Sequence, residues 1–229
     1  MPDFAAFASH LGLTFNNLGF LTEALTHRSY LNENRSFIGA NNERLEFLGD
    51  AVLELAVTHF LFTKFPNKSE GELTSFRAAL VNTVSLAGAA GALDINEYLL
   101  LSKGEEKDTG KARQIILANT FEAIIGAIYL DQGYSAAEAF IGKHLYGKID
   151  EVIEKRAYVD AKSRFQEAAQ EKRGVTPAYE TVSETGPDHD RQFVVGVYVG
   201  KIEIARGEGK SKQDAEQSAA QSALDKMGW

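Results

Sequence analysis

Three carboxylates, Glu43, Glu46 and Asp50, lie within the run Asn42-Glu43-Arg44-Leu45-Glu46-Phe47-Leu48-Gly49-Asp50-Ala51. Spacings of three and then four residues put them on one stripe if the segment is helical. Leu45, Phe47, Leu48, Val52, Leu53 and Leu55 surround them, so the acids are not the solvated face of a polar helix. Like charges at this spacing repel one another. A divalent cation with oxygen ligands is the natural compensation. Gly49 stands inside the same helix, at a cost of about 1 kcal/mol relative to Ala. A second constellation, Ile116-Leu117-Ala118-Asn119-Thr120-Phe121-Glu122-Ala123, places Asn119 and Glu122 on one face of a long apolar helix. A buried acid needs a partner. A metal facing Glu46 and Asp50 would supply one, and a buried base such as Arg44 or Arg77 is the alternative; the spacing leaves both open.

A third cluster lies near the end of the chain, in Gly207-Glu208-Gly209-Lys210-Ser211-Lys212-Gln213-Asp214-Ala215-Glu216. Lys210, Ser211 and Lys212 stand at a helix start, where free backbone N–H groups and the dipole favour anions. A lysine before a helix is ordinarily just solvated. Gln166 and Glu167 on an earlier helix, and His189 in the Pro187-Asp188-His189 turn, would add two contact regions along one edge. That arrangement suits an A-form duplex, which proteins read by shape and 2′-hydroxyls.

The elements that must position these residues are helices first and strands late. Helical periodicity runs through residues 18–28, 43–64, 70–88, 115–131 and 136–155. Ser69 with Glu72, and Ser135 with Glu138, have the spacing of capping boxes. Residues 103–113 read as an exposed loop. The pattern changes near Arg156: a helix at 160–172, strands at 178–183, 192–199 and 201–205, and a helix at 212–227. Gly186-Pro187-Asp188 and the Tyr198–Gly200–Lys201 corner mark the turns. The expectation is an all-α domain over 1–155, a short polar linker over 153–159, and a small α+β domain of order α-β-β-β-α over 159–229.

Bulk composition narrows the class. An apolar fraction of 44% with only four prolines indicates a folded chain. With no cysteine, disulfides and thiolate metal sites are excluded, and a reducing compartment fits. No secretory pattern opens the sequence, and residues 115–130 are apolar but interrupted by Asn119 and Glu122. The expectation is a cytoplasmic protein without a membrane span. A net charge of −8 argues at first against a nucleic-acid partner. The first 155 residues, however, carry 13 basic and 20 acidic side chains, and the remainder 11 and 12. The acidity belongs mostly to the part that holds the carboxylate stripe, so local clustering decides the partner.

The nine residues from Asn42 to Asp50 resemble the family motif of bacterial ribonuclease III. Leu25-Thr26-His27-Arg28-Ser29, the 116–122 segment and a double-stranded-RNA-binding module follow in that family's order. The resemblance covers essentially the whole chain. It implies a Mg²⁺-dependent endoribonuclease, with Mn²⁺ as a substitute, that acts in RNA processing and decay. The family hydrolyses double-stranded RNA to 5′-phosphate and 3′-hydroxyl ends, and works as a homodimer whose two sites share one valley. Carried over, Glu46, Asp50 and Glu122 would be metal ligands, with Asn119 at the fourth position. Glu43 would complete the catalytic acids near the RNA and the partner, and Glu70 would be an accessory acid. Gln166, Glu167, His189, Lys210, Ser211 and Lys212 would contact RNA. Phe47 would project into the partner subunit, and Gly49 would permit close helix approach at that seam.

The chemistry agrees with the residue types. Metal ions can activate a water, neutralise a phosphoryl oxygen and stabilise a leaving oxygen, so no histidine or cysteine nucleophile is required. His10, His59 and His144 read as structural or surface residues, and His27 as an anchor for helix packing. One position departs from the pattern: the family commonly has Asp where this chain has Asn119. An amide still offers a carbonyl oxygen to a hard cation but removes one negative charge, which implies weaker metal affinity in an unchanged fold. The competing class is a dimeric binder that grips duplex RNA without cutting it. A purely structural helical dimer leaves the second domain unexplained.

Overall fold

The computed structural model describes residues 2–154, 161–187 and 191–229. They form two compact units, one on each side of residues 155–160. The first is helical: α1 (Phe4–Leu11), α2 (Leu18–Ala24), α3 (Arg28–Glu33), α4 (Glu43–Lys64), α5 (Glu70–Val81), α6 (Thr83–Ala92), α7 (Lys111–Gln132), α8 (Tyr134–Leu145) and α9 (Ile149–Glu154). The second consists of α10 (Ala161–Arg173), β1 (Ala178–Thr185), β2 (Gln192–Val199), β3 (Ile202–Gly209) and α11 (Lys212–Met227). Of the expected linker, residues 153 and 154 belong to α9, and the rest lies outside the described residues. The expected helix over 160–172 runs one residue further, to Arg173, and its first position, Asp160, is likewise outside them.

Helix α7 is the axis of the first unit. Phe121, Ala123, Ile124, Ile125, Ala127 and Ile128 are fully buried on it, and it packs against α2, α4, α6 and α8. Burying an Ile or Phe side chain contributes about 1.5–3 kcal/mol, so this helix anchors the core. It begins at Lys111, four residues before the apolar run. At 22 residues its length and apolarity would suit a membrane span, but packing inside the unit accounts for them. Of the exposed loop expected over 103–113, Glu105–Lys107 form a 3-10 turn and Lys111–Arg113 belong to α7, and the segment is held from within. Arg113, buried, donates from Nε to the Asp108 carbonyl at 3.0 Å and from Nη1 to Asn96 Oδ1 at 3.2 Å.

Local chemistry explains where other helices stop. The expected helix over 18–28 ends at Ala24, because the following backbone turns to pair with another segment. His27 donates to the Leu100 carbonyl and Leu100 donates to the Leu25 carbonyl, at 3.1 and 2.9 Å. The single helix expected over 70–88 is two. Asn82 adopts an extended conformation (φ −70°, ψ 160°), ends α5 and caps α6 by accepting from the Ser85 N–H. The Ser69–Glu72 capping box forms in full. The Ser135–Glu138 box does not: α8 starts at Tyr134 after Gly133, which places Ser135 inside the helix. Residues 146–148 form a 3-10 turn before α9. Helix α1, opened by the Asp3 carboxylate and closed by Gly12 in the left-handed region, was not legible in the periodicity.

The second unit is an antiparallel sheet of order β1-β2-β3 with α10 and α11 on one face. Val197, Val199 and Ile204 meet Phe165, Ala219, Ala220, Ala223 and Leu224 there. Gly200, at φ +64°, supplies the hairpin corner. Strand β3 continues to Gly209, past the expected end at 205, so Gly207–Gly209 belong to the sheet and not to the helix opening. Their reason is packing: a Cβ on Gly207 would stand 2.0 Å from the Ala219 nitrogen, and one on Gly209 would stand 2.5 Å from the Ala215 nitrogen. Gly207→Ala is therefore expected to cost the second unit about 3 kcal/mol or more, measured by urea unfolding. An unchanged midpoint would show that α11 is free to move off the sheet.

Candidate active site

Helices α4 and α7 touch backbone to backbone at two glycines. A Cβ on Gly49 would lie 1.8 Å from the Glu122 carbonyl oxygen and 2.8 Å from the Gly126 nitrogen. A Cβ on Gly126 would lie 2.3 Å from the Leu45 carbonyl oxygen. Contacts this short forbid any side chain at either position. The expected role of Gly49 at a dimer seam is thereby corrected: it is buried, and the close approach it permits is to α7 of its own chain. Glu46 and Asp50 flank Gly49, while Asn119 and Glu122 precede Gly126 on the facing helix. The crossing brings the two pairs together.

Their electrostatics follow from that proximity. Burial raises the Glu46 carboxyl above its ordinary value, the Asn119 amide opposes this by donating a hydrogen bond to it, and Glu43 and Asp50 push it further up. Glu122, half-buried, is pushed up to about 7, first by desolvation and then by the negative charges of Asp50, Glu46 and Glu54. Among the described residues, the fold does not pair Glu122 with a base. Arg77 Nε instead meets Glu54 Oε2 at 2.8 Å and its Nη1 donates to Thr58 Oγ1 at 2.8 Å, and Arg44 is exposed. Glu54 was missed as a neighbour of the cluster, although it continues the stripe four residues after Asp50.

Among the described residues, no three His, Asp or Glu side chains stand close enough to chelate an ion as placed. Mutual repulsion works against closing such a set. The donor chemistry nevertheless fits a hard divalent cation: carboxylates from Glu46, Asp50 and Glu122, and the Asn119 amide oxygen. Glu122 carries the uncompensated charge that such an ion would offset.

A hollow of about 360 Å³ adjoins the cluster, lined in part by His27, Arg28, Asn42, Glu43, Glu46 and Asn119. Glu43 accepts from Asn41 Nδ2 at 3.1 Å and approaches Arg28 at 3.4 Å. It also borders a second hollow of about 670 Å³ with Phe20, Phe47, Leu48 and Leu130. Phe47 is 82% exposed, and Leu55 and Phe62 continue an apolar stripe along the outside of α4. Glu70 lies elsewhere, in a hollow with Phe62, Leu73 and Arg77. His10 faces Asp94 at 3.5 Å and His59 faces Glu138 at 3.3 Å. Burial lowers the pKa of His144, whose Nε2 has no hydrogen-bond partner among the described residues. None of these three lines the hollow beside the acids.

In the second unit, Gln166 and Lys212 border one surface hollow of about 540 Å³, together with Lys162, Ser163, Gln213, Glu216 and Gln217. Lys162 was not anticipated; its Nζ lies 2.6 Å from Glu216 Oε2. Ser211 caps α11, accepting from the Asp214 N–H at 3.1 Å, so its hydroxyl first serves the helix. Glu167 and Lys210 are exposed nearby in sequence. His189 lies outside the described residues.

Comparison with known proteins places this arrangement. Residues 17–149 match the family model described as ribonuclease-III-like, and residues 161–227 match the double-stranded RNA binding motif. A ribonuclease 3 from Geobacillus kaustophilus is 47% identical over 98% of this chain and 91% of its own length. Another from Geobacillus thermodenitrificans is 48% identical over 95% and 88%. The solved nuclease domain of a ribonuclease III from Campylobacter jejuni matches with a TM-score of 0.56 at 41% identity, covering 62% of this chain and 98% of that one. Fold and cluster define a nuclease that carries its own double-stranded-RNA-binding module. The chain belongs to the ribonuclease III family and is an endoribonuclease of that type.

The glycine crossing yields a contrast that can be measured. Gly49→Ala or Gly126→Ala is expected to cost about 3 kcal/mol or more. Gly88→Ala, at an exposed helical position with open space around it, should stabilise by about 0.5–1 kcal/mol. Urea unfolding of the three variants checks this, and equal effects would remove the crossing as the fixed point of the site.

Proposed function

We propose that the chain is a Mg²⁺-dependent endoribonuclease that hydrolyses double-stranded RNA to 5′-phosphate and 3′-hydroxyl ends in RNA processing and decay. It works as a cytoplasmic homodimer. The supporting observation is Glu122: desolvation first, and then three neighbouring acids, push its carboxyl up to about 7, and no base faces it among the described residues. Glu46, Asp50, Glu122 and the Asn119 oxygen hold the ion. A bound Mg²⁺ or Mn²⁺ supplies an activated water and neutralises charge on the scissile phosphate. Glu46 and Glu122 are kept in place by the glycine crossing. Glu43, shared by two hollows, stands at the mouth on the side of Phe47. The exposed Phe47–Phe62 stripe supports association with a second copy, since large exposed apolar patches mark interaction surfaces. The related Campylobacter structure is itself described as flexible in a region that forms its dimer. In the second unit, the Gln166–Lys212 hollow and Lys210 meet the phosphate backbone.

A second reading rests on Asn119. Its N–H donates to Glu46, which an aspartate could not do, and it carries no charge. A chain too poor in metal affinity would bind duplex RNA without cutting it.

Three measurements test these readings. With millimolar Mg²⁺, long duplex RNA should be cleaved; Glu122→Ala or chelation should reduce cleavage to background. Activity that survives both would remove the metal-site assignment. Asn119→Asp should tighten Mg²⁺ or Mn²⁺ binding by about tenfold in calorimetry; cleavage present only in this variant would favour the binder. Phe47→Ala should shift the sedimentation profile toward monomer, and an unchanged dimer would move the interface elsewhere.

A further inference from the structure

The hollow beside the acids holds one feature that the metal site does not use, the imidazole of His27. Its Nδ1 accepts from the Ser29 backbone N–H at 3.3 Å, capping α3, and lies 2.8 Å from Ser29 Oγ. The Ser29 backbone N–H can only donate, so Nδ1 is an acceptor, and Ser29 Oγ, which also accepts from the Ser102 backbone N–H at 3.0 Å, has its own proton available for it. A ring nitrogen that accepts a hydrogen bond carries no proton. The neutral tautomer is therefore fixed with hydrogen on Nε2, the opposite corner of the ring. Burial lowers the His27 pKa and favours that neutral form. The ring is fixed by Ser29, and the backbone on either side by the pairing of Leu25 and His27 with Leu100. His27 lines the same hollow as Glu46 and Asn119, with Arg28 beside it.

We propose that His27 Nε2–H is a substrate-positioning donor, which takes a backbone oxygen of the cleaved RNA strand in the hollow next to the metal cluster. The occupant is a ribose-phosphate unit: at about 360 Å³ the hollow has room for one, polar groups of His27, Arg28, Glu46 and Asn119 share its lining with Ala112, Ile115 and Ile116, and Glu46 and Asn119 join it to the acids. A neutral donor suits this position, since it adds no charge to compete with the cation. Arg28, whose side chain is 70% exposed, supplies positive charge near the strand. The proposal rests on the placement of the metal site at Glu46, Asp50 and Glu122.

The test separates the donor from the cap. Serine caps a helix at least as well as histidine but cannot reach into the hollow. His27→Ser should leave the unfolding midpoint unchanged and lower kcat by ten- to a hundredfold, with a smaller loss of duplex-RNA affinity. His27→Gln, which keeps a donor and an acceptor, should recover most of the loss. The variants are then crossed with substrates carrying a 2′-deoxy or a methylphosphonate substitution at each nucleotide flanking the scissile bond. At one position the substitution should slow the unaltered protein and leave His27→Ser unaffected. A 2′-deoxy or a methylphosphonate response identifies the oxygen as sugar or phosphate. Equal penalties at every position in both proteins, or a kcat loss that tracks loss of stability, would overturn the proposal. Glu122→Ala run in parallel reports on the metal site alone, so failure of that assignment is seen separately.

Discussion

The site depends on one steric fact: two helices share a crossing at which neither can carry a side chain. Gly49 and Gly126 let the α4 and α7 backbones meet, with the Glu122 carbonyl oxygen where a Cβ on Gly49 would be. A glycine inside a helix costs about 1 kcal/mol, and two are kept in helices that are otherwise strongly apolar. What they achieve is registration. Interlocked backbones cannot slide or rotate, so acids one turn away are fixed relative to each other without relying on long side chains. The remaining core, from Phe121 to Ile128, holds α7 in that register from its other faces.

Charge is then concentrated where the fold is least able to disperse it. The acids lie beside a buried crossing, and desolvation is the largest cause of the upward shift at both Glu46 and Glu122. The nearby arginine, Arg77, serves Glu54 and Thr58 instead. A cluster left acidic in this way is held together by packing and opposed by its own charge, the balance expected where an ion completes the structure. The Asn119 amide relieves part of it by donating to Glu46.

The second unit solves a different problem with the same device. Gly207 and Gly209 bring β3 against α11, as Gly49 brings α4 against α7. Close contact fixes the start of α11, and with it Lys212, beside Gln166 on α10. In both units, small residues within regular elements determine where the charged side chains stand.

Much of this was legible in the chain itself. Spacing alone put Glu43, Glu46 and Asp50 on one stripe, and Asn119 with Glu122 on another, because helical periodicity is a local property. The α-β-β-β-α order was readable for the same reason, as was the Ser69–Glu72 capping box. Element ends were not. The break at Asn82 depends on a backbone conformation, and the stop after Ala24 depends on Leu100, far along the chain. Gly49 shows the limit most clearly: the sequence announced an unusual glycine, but its partner is a backbone 73 residues away in number, from Gly49 to Glu122. Likewise Arg77 was an equal candidate to pair Glu122 until the fold gave it to Glu54. The sequence by itself determined which residues could do chemistry and which element each rides on, since both follow from short-range spacing. Only the tertiary structure decided which of them meet and in what charge state, because contact and desolvation are set by the packing of distant segments.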